Sequence, residues 1–163
     1  MESMKLAEAK WEGKTLVELK TLPPQQVWPF LADFFNLQKI VTDLETCYQV
    51  EGVPGQPGLI RYCAFQSTDD DQTNGLWGKE KLISMDPIKR CLSYEIIESN
   101  MGFGWYVGTM QVIPMNNDEG CIIEWSFVCD PIERMSSKDI LFFIQKMAKN
   151  IEEAFLSGTS STV

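Results

Sequence analysis

Residues 136–156 read SSKDILFFIQKMAKNIEEAFL, and this stretch predicts a long amphipathic helix that requires a partner surface. Its apolar residues recur at helical spacing and form one stripe. They are Ile140, Phe143, Ile144, Met147, Ile151 and Phe155. Ser136, followed three residues later by Asp139, resembles a capping box that would start the helix.

The residues before this helix predict the surface that it needs. Apolar and β-branched segments at 59–65, 76–85, 90–99, 104–115 and 120–129 read as five successive strands, and an earlier strand is expected at 13–22. Segments rich in Asp, Asn, Gly and Pro separate the five strands, and such short connections imply antiparallel neighbours. The acidic run Asp69–Asp71 is predicted to be an exposed hairpin tip.

The segment 23–40 predicts one or two short helices rather than one long helix. Pro23 and Pro24 suit a helix start, and Pro29 falls inside the first turns. Together these elements predict a single α+β domain over residues 1–163. A curved antiparallel sheet wrapped over one helix often leaves a cavity between the two layers.

Composition narrows the possible functions. The 163 residues are 44% hydrophobic and 23% charged, with a net charge of −9, which argues against nucleic acid or an anionic membrane as the partner. No apolar run approaches the roughly 20 residues that span a bilayer, and the N-terminal segment lacks the apolar core of a signal peptide. A cytoplasmic monomer or weak dimer is therefore expected.

Histidine is absent, which excludes Ser-His and Cys-His nucleophiles and histidine-based metal sites. The five cysteines form no CxxC pair and are expected to be reduced and mostly buried. No metal or cofactor is expected. Any acid–base chemistry must come from carboxylates, tyrosines, lysines or thiols.

Glu80 is the polar residue that the strand pattern singles out, in the segment LWGKEKLI at 76–83. Strand side chains alternate between faces, so Lys79 and Lys81 share one face while Glu80 shares the other with Leu76 and Leu82. Lysines belong in water, so Glu80 is predicted to point inward. Burial of an unpaired carboxylate lowers the stability of the fold by several kcal/mol, so a buried glutamate is expected to have a charged partner or a function.

Arg61, on the preceding strand, is the natural partner for Glu80, because the same alternation places it among apolar residues of 59–65. Tyr94 and Tyr106 also point inward by this rule, and Gly104 and Gly108, which flank Tyr106 on the same face, would leave room for a ligand. Less specific readings remain open. An inward Arg–Glu pair can be purely structural, and buried tyrosines are usually core residues.

The segments KWEGK, GLIRY, LWGKEKL, YVGTMQ and EWSF resemble the lachrymatory factor synthase group of the plant Bet v 1/START-like superfamily, also described as polyketide cyclase/dehydrase and lipid transport proteins. The likeness runs from residue 10 to the closing helix. It implies a helix-grip fold, in which a seven-stranded curved antiparallel sheet surrounds a long C-terminal helix and an internal cavity.

The resemblance also implies a site and a reaction. The arginine and glutamate of that group fall on Arg61 and Glu80, and its two cavity tyrosines fall on Tyr94 and Tyr106. Further ligand contacts are predicted at Leu76, Trp125, Phe127 and Met147. The implied reaction moves a proton from oxygen to carbon in 1-propenesulfenic acid or a similar small sulfenic acid, giving a thial S-oxide without a cofactor. The alternative is a carrier that binds a hydrophobic plant metabolite or hormone in the same cavity.

Overall fold

A computed structural model describes residues 9–65 and 75–158, so the predicted hairpin tip at Asp69–Asp71 lies outside the described residues. Seven strands form one antiparallel sheet in the order β1-β7-β6-β5-β4-β3-β2. The strands are β1 (Trp11–Leu19), β2 (Leu44–Glu51), β3 (Ile60–Phe65), β4 (Trp77–Asp86), β5 (Cys91–Ser99), β6 (Tyr106–Met115) and β7 (Gly120–Cys129). The predicted seven-stranded curved sheet with a C-terminal helix is confirmed.

The segment between β1 and β2 folds as the prolines predict. Helix α1 (Pro24–Ala32) begins directly after Pro23 and contains Pro29, and a short 3-10 helix follows at Leu37–Lys39. Proline lacks the N–H that a helix interior needs but is tolerated in the first turns. Two short helices therefore stand where one long helix was excluded.

Strand β2 was not among the strands predicted from the pattern. It lies at one edge of the sheet, and of its eight residues only Leu44 and Cys47 are buried. Register irregularities after Leu44 and after Gln49 break the regular pairing with β3. A half-solvated edge strand with bulges shows no strict alternation, so its sequence carries little strand signal.

Helix α2 (Ser137–Leu156) packs its apolar stripe against the sheet and α1. Ile140, Ile144 and Ile151 are almost completely buried. The ring of Phe143 contacts Phe65 of β3 edge-on, with 5.2 Å between centroids, and Phe155 contacts Phe30 of α1 at 5.5 Å. The sheet therefore grips the helix, as the sequence predicts.

The capping box at the start of α2 is present in full. The Asp139 backbone N–H donates to Ser136 Oγ at 3.1 Å, and the Ser136 N–H donates to Asp139 Oδ2 at 2.9 Å. We expect Ser136→Ala to lower the free energy of unfolding by about 1 kcal/mol, because a backbone N–H loses its acceptor. Urea denaturation measures this loss. The neighbouring Ser137→Ala is the control, and an equal loss there would contradict the cap.

Candidate active site

A small cavity lies between the inner face of the sheet and α2. Its accessible volume is about 50 Å³, which corresponds to roughly four water molecules. Apolar side chains from the sheet, from α2 and from two connecting loops form most of its wall, among them Phe65, Ile96, Met101, Phe103, Ile140 and Phe143. The space therefore suits a ligand of only a few non-hydrogen atoms.

Glu80 brings a carboxylate to this apolar cavity, on the side of β4 that the strand alternation predicts. Its direct cross-strand neighbour on β3 is Arg61. Arg61 Nε donates to Glu80 Oε1 at 2.7 Å, and Nη2 lies 2.7 Å from the same oxygen. The pair is charge-assisted on one carboxylate oxygen only.

The two carboxylate oxygens of Glu80 differ in their hydrogen bonds. Within the part of the chain that the structure describes, every hydrogen bond recorded for this carboxylate ends on Oε1. The Glu80 side chain keeps 15% exposure, compared with 2% for Arg61. Glu80 therefore lines the cavity with a carboxylate whose Oε1 is held in place by Arg61.

Arg61 is buried behind Glu80 and does not line the cavity. Its Nη1 donates to the Phe34 carbonyl at 3.0 Å, and its guanidinium lies 3.7 Å from the centroid of the Phe34 ring. Burial is the largest single effect and lowers the pKa of Arg61. The Glu80 carboxylate, together with smaller contributions from neighbouring thiols and Tyr94, more than offsets burial and raises the pKa overall. Arg61 therefore acts as a fixed counter-charge.

Tyr94 places a phenol on the cavity wall. Trp125 Nε1 donates to the Tyr94 hydroxyl at 3.0 Å, which fixes the orientation of the ring. Burial, followed by the Glu80 charge, raises the pKa of Tyr94 well above its usual value, so the phenol stays protonated. Tyr94 is therefore a neutral hydrogen-bond donor.

Gly108, on the strand beside Tyr94, is the reason why this phenol fits. A Cβ atom at Gly108 would lie 2.3 Å from Tyr94 Cζ and 2.5 Å from its oxygen. The room predicted beside Tyr106 is thus filled by Tyr94 rather than left for a ligand. Tyr106 also lines the cavity and stacks on Phe127 at 5.7 Å, and burial raises its pKa well above the usual range.

We expect Gly108→Ala to displace Tyr94 and to lower the free energy of unfolding by about 1–3 kcal/mol, because a methyl group has no space beside a ring held by Trp125. Thermal unfolding measures the loss, and near-ultraviolet circular dichroism reports the altered aromatic packing. Gly104→Ala is the matched control, since nothing lies within 4 Å of a Cβ there. Equal stability of the two variants would contradict the packing role of Gly108.

The structure brings most of the sequence-predicted site residues to one place. Those that line the cavity are Glu80, Tyr94, Tyr106, Trp125 and Met147. Three do not. Arg61 lies behind Glu80, Phe127 lies behind Tyr106, and Leu76 is buried beside a separate surface depression formed with Phe142 and Lys146.

Several lining residues were not predicted as site residues, and Cys63 and the loop residues among them show why. Cys63 lines the cavity, although its shared face with Arg61 on β3 is visible in the sequence. Met101, Phe103 and Met135 come from connections between elements, where strand alternation has no bearing. Cysteine is often an ordinary core residue, so its presence on the inner face did not by itself indicate a site residue.

Two classes of feature are missing from the described residues. Within 9–65 and 75–158, no cluster of three or more cysteine or carboxylate side chains could hold a metal ion. Over the same residues, no helix has the length and hydrophobicity needed to cross a membrane.

Comparison with known proteins gives the same fold. Major latex-like protein 151 of Panax ginseng matches with a TM-score of 0.71 and 15% identity over 88% of this chain and 96% of its own. XoxI of Bacillus cereus matches with a TM-score of 0.72 and 22% identity over 89% and 95%. An uncharacterised protein of Bacillus thuringiensis matches with a TM-score of 0.68 and 18% identity over 91% and 99%. At these identities the likeness concerns the fold.

Residues 13–157 match the sequence profile of the family described as polyketide cyclase/dehydrase and lipid transport. The match covers most of the chain, from β1 to the end of α2. The protein therefore belongs to this family, in which a sheet and a helix enclose a cavity suited to hydrophobic ligands.

Proposed function

We propose that this protein is an enzyme of the lachrymatory factor synthase type, which isomerises a small sulfenic acid such as 1-propenesulfenic acid to a thial S-oxide. The observation that carries the proposal is the Glu80 carboxylate on the wall of an apolar cavity, where Arg61 holds Oε1 and no hydrogen bond to Oε2 is seen among the described residues. A structural ion pair alone has no need of a half-free carboxylate in a cavity.

The reaction is a proton transfer with no net oxidation. Glu80 Oε2 takes the proton from the sulfenic O–H, and the electron pair of that bond moves toward sulfur. The C–S bond becomes C=S, the C=C bond becomes single, and the alkene carbon remote from sulfur receives the proton back from Glu80. A carboxylate within hydrogen-bond reach suits both steps of such a transfer.

The remaining polar groups support this charge movement. Tyr94 and Tyr106 stay protonated, line the cavity and are hydrogen-bonded to each other, which leaves one phenol proton to donate to the oxygen that gains negative charge. Arg61 supports the reaction through Glu80 and not by a contact with the substrate oxygen. Its Nε and Nη2 are occupied by Glu80 and its Nη1 by Phe34, so it acts as a positioning residue for the carboxylate.

Cavity size supports a small substrate. A volume of about 50 Å³ is much nearer to the size of a molecule of five non-hydrogen atoms, such as propenesulfenic acid, than to the roughly 300–1,000 Å³ of pockets for drug-sized ligands. A hormone-sized ligand would require the sheet and α2 to separate. The cavity size therefore favours the proposed enzyme over a carrier of a large hydrophobic ligand.

The test generates the unstable substrate in the reaction mixture. A separate lyase releases propenesulfenic acid from its sulfoxide precursor, and gas chromatography with mass spectrometry follows the thial S-oxide. We expect product above the lyase-alone control. No product above that control would exclude this substrate, and native mass spectrometry that shows a large co-purified lipid or metabolite would favour the carrier.

A further inference from the structure

Two thiols meet on the wall of the cavity and have no part in the proposed proton transfer. Cys47 of β2 and Cys63 of β3 are direct cross-strand neighbours, and their Sγ atoms lie 3.4 Å apart. Cys63 lines the cavity, and Cys47 lies behind it. A disulfide needs a separation of about 2.05 Å, so the sulfurs must approach by roughly 1.3 Å.

We propose that Cys47 and Cys63 form a redox-active dithiol, which a small hydroperoxide entering the cavity oxidises to an intramolecular disulfide. The pair has the two properties that such a site requires. Its sulfurs are already in contact, and one of them faces a space that a small uncharged oxidant can enter. The proposal is independent of the isomerase function.

The surroundings of the pair favour the thiolate form of Cys47. The hydrogen bond from Cys63 and the positive charge of Arg61 outweigh burial and lower the pKa of Cys47 to about 7. The same contact raises the pKa of Cys63 well above its usual value. Near neutral pH the two sulfurs therefore share one proton, beside a guanidinium that stabilises the negative charge.

The chemistry balances as a two-electron oxidation. The Cys47 thiolate accepts the proton of Cys63 as the Cys63 sulfur attacks the peroxide oxygen, which breaks the O–O bond and leaves Cys63 sulfenic acid and hydroxide. The Cys47 sulfur then attacks the Cys63 sulfur, and the sulfenic oxygen leaves as water with the Cys47 proton. The two thiols lose two electrons in total, and the peroxide gains them.

The other three cysteines provide an internal comparison. Burial raises the pKa of Cys91, and it raises the pKa of Cys121 and Cys129 to about 11. None of the three has a hydrogen bond to another thiol among the contacts recorded for the described residues. A hydroperoxide should therefore select the Cys47–Cys63 pair.

Trypsin separates the two groups of cysteines. Cleavage after lysine and arginine gives peptide 40–61 with Cys47, peptide 62–79 with Cys63, and peptide 91–134 with the other three. Reduced full-length protein is treated with hydrogen peroxide at pH 7.5, and remaining thiols are alkylated in denaturant. We expect peptides 40–61 and 62–79 to become disulfide-linked at least about 10-fold faster than peptide 91–134 is oxidised, in line with their thiolate fractions.

Two variants and a pH series sharpen the test. Cys47→Ser removes the partner of Cys63 and should slow oxidation at Cys63 by about 10-fold, while Cys91→Ser should leave the disulfide unchanged. The rate for the pair should rise through about pH 7, the pKa of Cys47. Oxidation of peptide 91–134 at an equal or higher rate, or no link between the other two peptides, would overturn the proposal.

Discussion

Replacing Glu80 with glutamine is expected to reduce turnover by at least about 100-fold, because the variant loses the group that accepts and returns the proton. Glutamine keeps the shape of the side chain, and its oxygen can still accept from Arg61 Nε. Binding of an inert analogue should therefore change little. Initial rates in the coupled lyase assay, compared with analogue affinity from calorimetry, separate chemistry from binding.

Glu98→Gln is the matched control for this variant. Glu98 lies on the outer face of β5, where it pairs with Lys79 at 3.2 Å and remains 58% exposed. Its neutralisation should leave turnover unchanged. If Glu80→Gln turned over as fast as the wild type, another group would have to carry the proton, and the role assigned to Glu80 would be wrong.

Arg61→Met is expected to have the largest effect on stability. The change leaves the Glu80 carboxylate without its counter-charge and the Phe34 carbonyl without its donor. Breaking a buried ion pair from one side costs about 3–5 kcal/mol, and the residual 15% exposure of Glu80 favours the lower end. Urea denaturation should show the loss, together with a fall in turnover.

Two further variants test the reason for this loss. Lys79→Met removes a lysine from the outer face of β4, where a surface ion pair contributes less than about 1 kcal/mol. Arg61→Met combined with Glu80→Leu removes both buried charges and should recover part of the lost stability. A double variant no more stable than Arg61→Met alone would show that lost packing, rather than the stranded carboxylate, causes the effect.

Sequence alternation predicted the inward face of the sheet well. It placed Glu80 and Arg61 on one side of adjacent strands, and the register joins them directly. It succeeded because lysines on the outer face of β4 leave only one orientation compatible with burial. The helix α2 was equally clear, since its stripe and its cap occur together.

Depth within the inner face could not be predicted. Alternation assigns a side chain to a face but does not separate a residue at the cavity surface from one behind it, so Arg61 and Phe127 were both expected to contact the ligand. The contact between Cys63 and Cys47 could not be predicted either, because Cys47 lies on a solvated edge strand whose sequence shows no regular alternation. The Tyr94 ring occupies the space left by the missing side chain of Gly108 on the neighbouring strand. This contact depends on how the two strands pack, so the sequence around either residue does not predict it.

The cross-strand position of Arg61 opposite Glu80 has a consequence for folding. Glu80 is flanked by Lys79 and Lys81, so a slip of β4 by one residue against β3 would set a lysine opposite Arg61 and turn it toward the core. Repulsion between the two cations would oppose this slipped hairpin. The ion pair thereby favours one alignment of the two strands, and this contribution to the fold does not depend on a ligand in the cavity.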